Sequence, residues 1–322
     1  MESVNKLTKL LNIRYPIIQG GMGNISNAQL AAAVSEAGGL GTIGTGTMEP
    51  GEVERIIIET KTRTSKPFAV NVALGVSPYV KDLLALAVKH KVPVVSLSAG
   101  NPAPFIGRLH DEGIKVLAVT ASVRHAEKAE KAGADVIVAE GYEAAGINSP
   151  LETTTLTLIP QITSTVGVPV VAAGGIADGR GLAAMLSLGA SGIQMGTRFI
   201  AVKEAPFHAI YKKLITEATD TSTLVVGRSA GMVRRLLDIP YARKLLAEEK
   251  SGASLADLMD LTSEYYHKKG AISGNIEEGF LNAGQIAGLI KDIPSAKELL
   301  DRMVEEAIIA LKTSQIQLEK HN

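Results

Sequence analysis

Short apolar runs alternate with amphipathic, helix-like segments from the start of the chain to about residue 200. The runs lack the polar/apolar alternation of a half-exposed strand, so we predict strands buried on both faces. Such runs, each followed by a helical segment at a spacing of about 25–30 residues, predict an α/β fold, a closed (β/α)₈ TIM barrel. The predicted strands are Pro16–Gln19, Leu40–Ile43, Phe68–Val72, Val94–Leu97, Val116–Val119, Val136–Ala139, Val168–Ala172 and Gly192–Met195.

A short phrase containing glycine recurs where predicted helices end. It begins at Glu36, Asp111, Lys131 and Ser187, and in each case a predicted strand follows. Glycine takes the left-handed conformation that terminates a helix at little steric cost. We therefore interpret these glycines as structural.

The alternation of predicted strands and helices ends after the eighth predicted strand. Residues 207–280 are charged and interrupted by loops, and they predict mostly helix with no strand, whereas 284–321 predicts one or two amphipathic helices. We expect a barrel over 1–206, a small helical subdomain (a lid) over the barrel mouth at 207–280, and C-terminal helices closing the barrel at 281–322.

Composition excludes several functional classes. The 322 residues carry 33 basic and 33 acidic side chains, which gives no electrostatic signature for nucleic acid or an anionic membrane. The absence of cysteine excludes disulfides, iron–sulfur clusters and thiolate zinc sites. No signal peptide is recognisable and no run reaches the ~20 apolar residues of a membrane span, so we expect a cytoplasmic protein.

The histidines do not suggest a metal centre. His90, His110 and His125 fall in helical segments and His208 follows the loop after the last strand, with no zinc-ligand spacing. We predict surface or packing roles for them and no metal site.

Turns that contain glycine follow the seventh and eighth predicted strands. Gly174 and Gly175 open a turn into a helix that starts near Asp178, and Gly196 and Thr197 open a shorter helix. Free backbone N–H groups and positive helix ends can converge there on a phosphate dianion. The loops after the last two strands are also the usual phosphate site of a TIM barrel.

Three further strand ends carry candidate ligand-binding groups. Gly21 and Met22 follow the first strand, where backbone could approach a flat ligand or simply form a tight turn. Asn71 could hold the carbonyl and N–H edge of a ring or cap a loop. Glu140 could accept hydrogen bonds from ribityl hydroxyls or pair with a nearby Lys or Arg.

Taken together, these motifs resemble the flavin-dependent nitronate monooxygenase (2-nitropropane dioxygenase-like) family, which includes the FMN-dependent enoyl-ACP reductases. The resemblance covers essentially the whole chain. It rests on Pro16-Ile-Ile-Gln-Gly-Gly-Met-Gly, Asn71, Ser96-Leu-Ser-Ala-Gly-Asn-Pro102, Glu140-Gly-Tyr-Glu-Ala, Ala173-Gly-Gly-Ile-Ala-Asp-Gly179, Gln194-Met-Gly-Thr-Arg-Phe199 and Ala283-Gly-Gln-Ile-Ala-Gly288.

The resemblance implies an FMN site and assigns its residues. Those implied to lie against the isoalloxazine are Gly21, Met22 and Asn71, and those implied to line the middle of the flavin are Glu140 and Gly146. Those implied to cradle the phosphate are Gly174, Gly175, Gln194, Met195, Gly196 and Thr197.

One position departs from the family pattern. The family usually reads Glu-Ala-Gly-Gly-His after the sixth strand, whereas this chain reads Glu143-Ala-Ala-Gly-Ile147. The resemblance implies that the missing histidine is a base towards nitroalkanes and a positioning group for acyl substrates. Isoleucine cannot accept a proton, and Asn148 is a poor base, so we assign no catalytic residue.

Hydride transfer through flavin N5 does not need that base. We therefore expect an FMN-dependent oxidoreductase in which NADH or NADPH reduces an enoyl thioester or a related electron-poor acceptor. An acyl carrier protein is a candidate partner, and a homodimer is the expected assembly. The alternatives are nitronate oxidation, non-catalytic FMN binding and a colourless phosphate-ester isomerase; an IMP dehydrogenase-like enzyme would need a catalytic cysteine.

Overall fold

Eight parallel strands form the central sheet of the computed structural model, which describes residues 2–320. Met1, His321 and Asn322, and with them the end of the predicted 281–322 segment, lie outside the described residues. The strands are short and almost wholly buried, as the continuous apolar runs predict. They are β1 (Ile17–Gln19), β2 (Gly41–Gly44), β3 (Phe68–Ala73), β4 (Val94–Ser98), β5 (Lys115–Thr120), β6 (Val136–Glu140), β8 (Val170–Ala173) and β9 (Gly192–Met195).

The sheet closes into a barrel. Its strand order is β1-β9-β8-β6-β5-β4-β3-β2. The two end strands meet through Leu40, whose N–H donates to the carbonyl of Ile17 at 3.0 Å and whose carbonyl accepts from Gln19 N at 2.9 Å. The predicted (β/α)₈ barrel is confirmed.

Helices cover the outside of the barrel and the segments after β9. One 3₁₀ helix spans Gln285–Leu289. The α-helices are α1 (Glu2–Leu11), α2 (Ala28–Glu36), α3 (Pro50–Arg63), α4 (Val80–Lys89), α5 (Ala103–Asp111), α6 (Val123–Lys131), α7 (Thr155–Thr163), α8 (Gly179–Ser187), α9 (Thr197–Ile200), α10 (Ala209–Thr216), α11 (Pro240–Lys250), α12 (Leu255–Leu261), α13 (Glu264–Ala271) and α14 (Ala296–Glu319).

Four of these helices end as the recurring glycine phrase predicts. Gly38, Gly113, Gly133 and Gly189 follow α2, α5, α6 and α8 with φ values of 98°, 73°, 103° and 93°. This is the left-handed region, in which a Cβ atom is unfavourable. The structural interpretation of these glycines is confirmed.

The barrel interior and its amino-terminal end share one apolar cluster. Side chains such as Ile18, Leu40 and Val138 point inward, and Leu7 and Leu11 of α1 pack against them. Helix α1 therefore plugs the end of the barrel at which the strands begin. The opposite end, where the strands finish, forms the mouth.

The segment after β9 differs from the prediction in one respect. It contains β10 (Thr223–Val226) and β11 (Arg234–Leu237), which pair as an antiparallel hairpin. The free edge of β11 pairs with β7 (Gly146–Ile147), a two-residue strand in the loop after β6. The expectation that 207–280 contains no strand is wrong, because the partner that completes this small sheet lies far away in sequence.

Helix α14 and the 3₁₀ helix confirm the helical character predicted for the C-terminal region. Among residues 2–320, no helix combines the length and the apolar character that crossing a membrane requires.

Candidate active site at the barrel mouth

The loop after β1 lies directly on the carboxyl ends of β2 and β3. A Cβ atom built on Gly21 would stand 2.7 Å from Asn71 Cβ and 2.9 Å from Gly44 Cα. Contacts that short are not tolerated, so only glycine lets the loop come this close. The neighbouring Met22 is partly buried, and its N–H donates to Ser26 Oγ at 3.2 Å. The exposed Gly21 thus offers bare backbone beside Asn71.

Asn71 is held through one half of its amide. Its Nδ2 donates to the Ser96 carbonyl and to the Ser98 hydroxyl, both at 3.2 Å. Within residues 2–320, nothing donates a hydrogen bond to its Oδ1, and the residue stays partly exposed. The side chain is therefore anchored to β4 and presents a free acceptor at the mouth.

Glu140 ends β6, and its side chain is partly buried at the mouth. In the part of the chain that the structure describes, neither a hydrogen bond nor an ion pair reaches this carboxylate. Burial alone raises the pKa of Glu140 to about 7. The alternative in which a neighbouring Lys or Arg pairs with it is therefore wrong. Its two oxygens remain available to a ligand.

The loop after β8 depends on glycine for its conformation. Gly174 and Gly175 have φ values of 91° and 72°. A Cβ atom on Gly174 would also stand 2.8 Å from the Gly141 carbonyl and 3.1 Å from Thr155 Oγ1. Both the dihedral angle and the close approach to the loop after β6 exclude a side chain here.

Backbone donors are available in this loop and in the one after β9. The N–H groups of Gly175 and Gly196 make no hydrogen bond to the described residues. A Cβ atom on Gly196 would meet no protein atom within 4 Å. Unused donors next to open space are what an anionic group requires.

The amino terminus of α8 does not contribute to this anion site. Asp178 accepts from Gly181 N at 3.1 Å, and Glu306 of α14 accepts from Gly179 N at 2.9 Å. Two carboxylates therefore occupy the positive end of the helix. The expectation that this helix end faces a phosphate is wrong, and the loop N–H groups remain as the donors.

The other predicted phosphate residues occupy more enclosed positions. Met195 is 3% exposed and belongs to the core, so only its backbone can meet a ligand. Thr197 is buried, and its Oγ1 accepts from Gly284 N at 3.0 Å. The Gln194 side chain packs against Gly20, where a Cβ atom would lie 3.2 Å from Gln194 Cδ.

The loop after β6 is tightly anchored. Glu143 accepts from the Thr155 backbone N–H at 3.0 Å, which fixes the loop to the start of α7. The buried Asn148 donates from Nδ2 to the Ala144 carbonyl at 2.9 Å. Between these anchors Gly146 adopts φ 73°, and Ile147 is 42% exposed.

Two of the three helical histidines have structural partners. His90 contacts Glu54 at 2.7 Å and His110 contacts Asp135 at 2.8 Å, both on the outside of the barrel. Across residues 2–320, no group of three or more histidine, aspartate or glutamate side chains is placed to hold a metal ion.

Sequence reasoning missed a polar cluster beside the mouth. Arg234 lies on β11 directly opposite Ile147 of β7, with its guanidinium carbon 5.2 Å from the Phe280 ring centroid. The His267 ring also stacks on the Phe280 ring, with 4.9 Å between the two ring centroids. Asn282 Nδ2 lies 3.2 Å from His267 Nε2.

Burial shifts both titratable groups of this cluster. Burial, together with the nearby Arg234, lowers the pKa of His267 to about 3, so the imidazole is neutral. Burial lowers the pKa of Arg234 to about 10, which leaves it protonated at neutral pH. The only sequence signal for this group was a pair of arginines flanked by apolar residues, Val233-Arg-Arg-Leu236.

Comparisons with known proteins agree with this geometry. A sequence model of the nitronate monooxygenase family matches residues 4–77 and 72–306. A Mycobacterium tuberculosis protein named (3aS,4S,5R,7aS)-5-hydroxy-7a-methyl-1-oxo-octahydro-1H-indene-4-carboxyl-CoA dehydrogenase is 32% identical, over 97% of this chain and 98% of its own.

Two solved structures are also similar over nearly the whole chain. FabK from Thermotoga maritima superposes with a TM-score of 0.92 and 40% identity, covering 98% of this chain and 99% of its own. Nitroalkane oxidase from Streptomyces ansochromogenes superposes with a TM-score of 0.83 and 30% identity, covering 95% of this chain and 99% of its own. The family resemblance seen in the sequence is confirmed: this chain belongs to the nitronate monooxygenase family and is an oxidoreductase.

Proposed function

We propose that this protein is an FMN-dependent oxidoreductase in which NADH or NADPH reduces an enoyl thioester or a related electron-poor acceptor. When bound, FMN supplies the hydride-accepting and hydride-donating chemistry, while the protein supplies orientation and electrostatics. Support comes from the fit of the mouth to this cofactor and from the groups that the mouth lacks.

The phosphate end of FMN fits the loops after β8 and β9. The N–H groups of Gly175 and Gly196 are unused, and the space beside Gly196 is open. A phosphate dianion would accept hydrogen bonds from both groups. The carboxylates of Asp178 and Glu306 at the start of α8 direct the phosphate to these loops and away from the helix.

The rest of the cofactor fits the floor of the mouth. The bare backbone at Gly21 leaves room for a flat ring, and Asn71 Oδ1 can accept a hydrogen bond from an N–H on the ring edge. Glu140 can accept hydrogen bonds from ribityl hydroxyls, which would relieve its unpartnered burial. Gly146 lies on the adjoining loop.

The observation that carries the choice of reaction is the exposed aliphatic side chain of Ile147. It occupies the loop position where the family resemblance implies a histidine base. Asn148 cannot replace the base, because it is buried and bonded to its own loop. A positioned base contributes about 10²–10⁴-fold to proton abstraction. Hydride transfer does not need one, so it is the reaction that this mouth favours.

An acyl thioester is the substrate class that the surroundings favour. Ile147 and Leu151, 42% and 57% exposed, give the loop after β6 an apolar surface suited to an acyl chain. The mycobacterial relative is named for a carboxyl-CoA substrate. An acyl carrier protein is therefore a candidate partner.

Nitronate oxidation is the second candidate. A nitronate already lacks the proton that a base would remove, so the loss of the histidine does not disfavour it. The 30% identity to nitroalkane oxidase supports this alternative.

Anaerobic stopped-flow spectroscopy separates these functions. The purified protein is mixed with NADH or NADPH, and then with crotonyl thioester or with a nitronate, while flavin absorbance is followed. We expect bleaching by a nicotinamide and recovery on adding the thioester. Bleaching by the nitronate alone would establish the second candidate. No bleaching by any of these would leave a non-catalytic flavin protein, and a colourless protein would contradict the proposal entirely.

Ile147→His tests the role of the missing base. The side chain is exposed and the replacement is tolerated by the backbone, so we expect the free energy of unfolding to change by less than about 0.5 kcal/mol. Oxidation of a neutral nitroalkane should rise by about 10²-fold or more, since a base is restored. Nitronate oxidation is the matched control and should change little. An unchanged nitroalkane rate would show that position 147 does not face the substrate.

A further inference from the structure

Arg234 is a cation without a counter-charge. No carboxylate, carbonyl or hydroxyl of residues 2–320 bonds to its guanidinium, and its Nε is fully buried with no partner. The neighbouring Arg235, by contrast, donates to the Tyr142 carbonyl at 3.1 Å. Adjacent arginines on one strand thus have different environments, one satisfied and one not.

The groups around Arg234 do not neutralise it. The Phe280 ring offers a cation–π contact of modest strength, with the guanidinium carbon 5.2 Å from the ring centroid. His267 is neutral. Asn282 Oδ1 is buried without a partner, yet no hydrogen bond joins it to Arg234 in the described structure. Only Nε is fully buried, but taking part of a cation out of water without a counter-charge is unfavourable, so an anion would stabilise this arrangement.

Arg234 lies where a substrate would enter. Its register partner is Ile147 of β7, and side chains of directly paired residues share one face of a sheet. The residue remains partly exposed, so the guanidinium is accessible from outside. Helix α13, which carries His267, is joined to the loop after β2 by a hydrogen bond from Thr47 Oγ1 to Glu264 at 2.6 Å. The N–H of Thr47 in turn donates to Asn24 of the loop after β1 at 2.7 Å. The cluster therefore borders the predicted ring site.

We propose that Arg234 binds the substrate oxygen that carries negative charge during the reaction. The identity of that oxygen rests on the proposed function: for an enoyl thioester it is the thioester carbonyl oxygen. A hydride that originates from the reduced nicotinamide adds to the β-carbon of the substrate. The electron pair of the C=C bond then moves to the oxygen, and a proton from solvent is finally taken up at the α-carbon. The guanidinium stabilises the charge on the oxygen as it develops.

A pair of isosteric ligands tests the charge dependence. Crotonate is an anion and crotonamide is its neutral counterpart of almost the same shape. Both are titrated calorimetrically into the flavin-loaded protein. We expect wild type to prefer crotonate, and Arg234→Gln to weaken crotonate about tenfold or more with crotonamide unchanged. Arg234→Lys should lie between the two. No preference for the anion in wild type, or equal weakening of both ligands, would overturn the proposal.

The exposed Arg228 is the control for general electrostatics. It pairs with Glu152 at 2.8 Å outside the cluster. Arg228→Gln removes the same charge from the same hairpin and should leave crotonate affinity within about twofold. A loss equal to that of Arg234→Gln would mean that net charge, not Arg234, attracts the anion.

Stability provides a second readout that does not depend on catalysis. Arg234→Met removes a partly buried charge that has no partner, so the melting temperature of this variant should rise. Arg235→Met removes a hydrogen-bonded charge, so the melting temperature of that variant should fall. A lower melting temperature in both variants would mean that Arg234 stabilises the fold, which contradicts the proposal. Reduction of the wild type by a nicotinamide tests the proposed function, whereas calorimetry tests the anion preference of Arg234. If a nicotinamide does not reduce the wild type, the proposed function fails, and the calorimetric result still decides whether Arg234 binds an anion.

Discussion

At the end of the mouth formed by the loops after β8 and β9, the available binding groups are backbone N–H groups of glycines. At the end bordered by β7 and β11, they are side chains: the unpartnered guanidinium of Arg234 and the orphaned oxygen of Asn282. The first kind of site holds a constant chemical group such as phosphate. The second can change one side chain at a time without disturbing the backbone. One barrel can in this way keep its cofactor and vary its substrate.

The largest effect on stability is expected from a change in the glycine loop after β8. Gly174→Ala places a methyl group 2.8 Å from the Gly141 carbonyl, at a φ of 91° that alanine disfavours. We expect a loss of about 2–4 kcal/mol in the free energy of unfolding and loss of bound flavin. Urea denaturation and the flavin-to-protein absorbance ratio measure the two effects.

Gly107→Ala is the matched control for this change. Gly107 lies inside α5 with no atom near the position of an added Cβ. Alanine is favoured over glycine in a helix by roughly 0.5–1 kcal/mol, so this variant should be as stable as wild type or more so. If both variants behave alike, the loop after β8 does not need its special conformation.

The free energy of unfolding should depend on pH in two opposing ways, through Glu140 at the end of β6 and through His267 in the polar cluster. Glu140 has a pKa of about 7 in the folded protein against 4.5 unfolded, so its contribution to stability falls as pH rises from 4.5 to 7. His267 has a pKa of about 3 folded against 6.5 unfolded, so its contribution falls as pH drops through 6.5. Each effect is on the order of 1–3 kcal/mol, and in the wild type they largely cancel between pH 4.5 and 6.5.

Two variants separate these contributions. Glu140→Gln removes the first and should make the protein lose stability more steeply than wild type on acidification from pH 7 to 5. His267→Gln removes the second and should make it gain stability relative to wild type over the same range. Urea denaturation of the flavin-free protein at both pH values measures them. Parallel pH profiles for all three proteins would mean that neither group is shielded from solvent as described.

The smallest effect is expected from a change in the loop after β9. Gly196→Ala adds a methyl group in open space, so the flavin-free protein should keep its melting temperature. If phosphate fills that space, affinity for FMN should fall about tenfold, equivalent to 1.4 kcal/mol. Fluorescence titration of the flavin-free protein with FMN measures the affinity. Full affinity in this variant would move the phosphate away from Gly196.

The barrel and the glycine loops could be predicted from the sequence because their signals are local. Buried strands such as Val136–Glu140 show as continuous apolar runs, and the positive φ values of Gly174 and Gly175 favour the residue type that the sequence shows there. The sequence did not show that carboxylates cap α8, because Glu306 reaches it from the distant α14.

The polar cluster could not be predicted for a similar reason. Arg234 belongs to the site only because β11 pairs with Ile147, far earlier in the chain. Nothing in the local pattern separates it from Arg235, which faces Tyr142 instead. The departure at Ile147 was visible in the sequence, whereas its cross-strand neighbour required the three-dimensional register.

The plug formed by Leu7 and Leu11 of α1 has a kinetic consequence. A barrel filled at its amino-terminal end leaves the mouth as the entrance for reactants. In the proposed reaction, the nicotinamide and the acceptor would then bind one after the other, and the bound cofactor would hold the two electrons in between. The steady-state signature of this alternating order is a set of parallel lines in double-reciprocal plots.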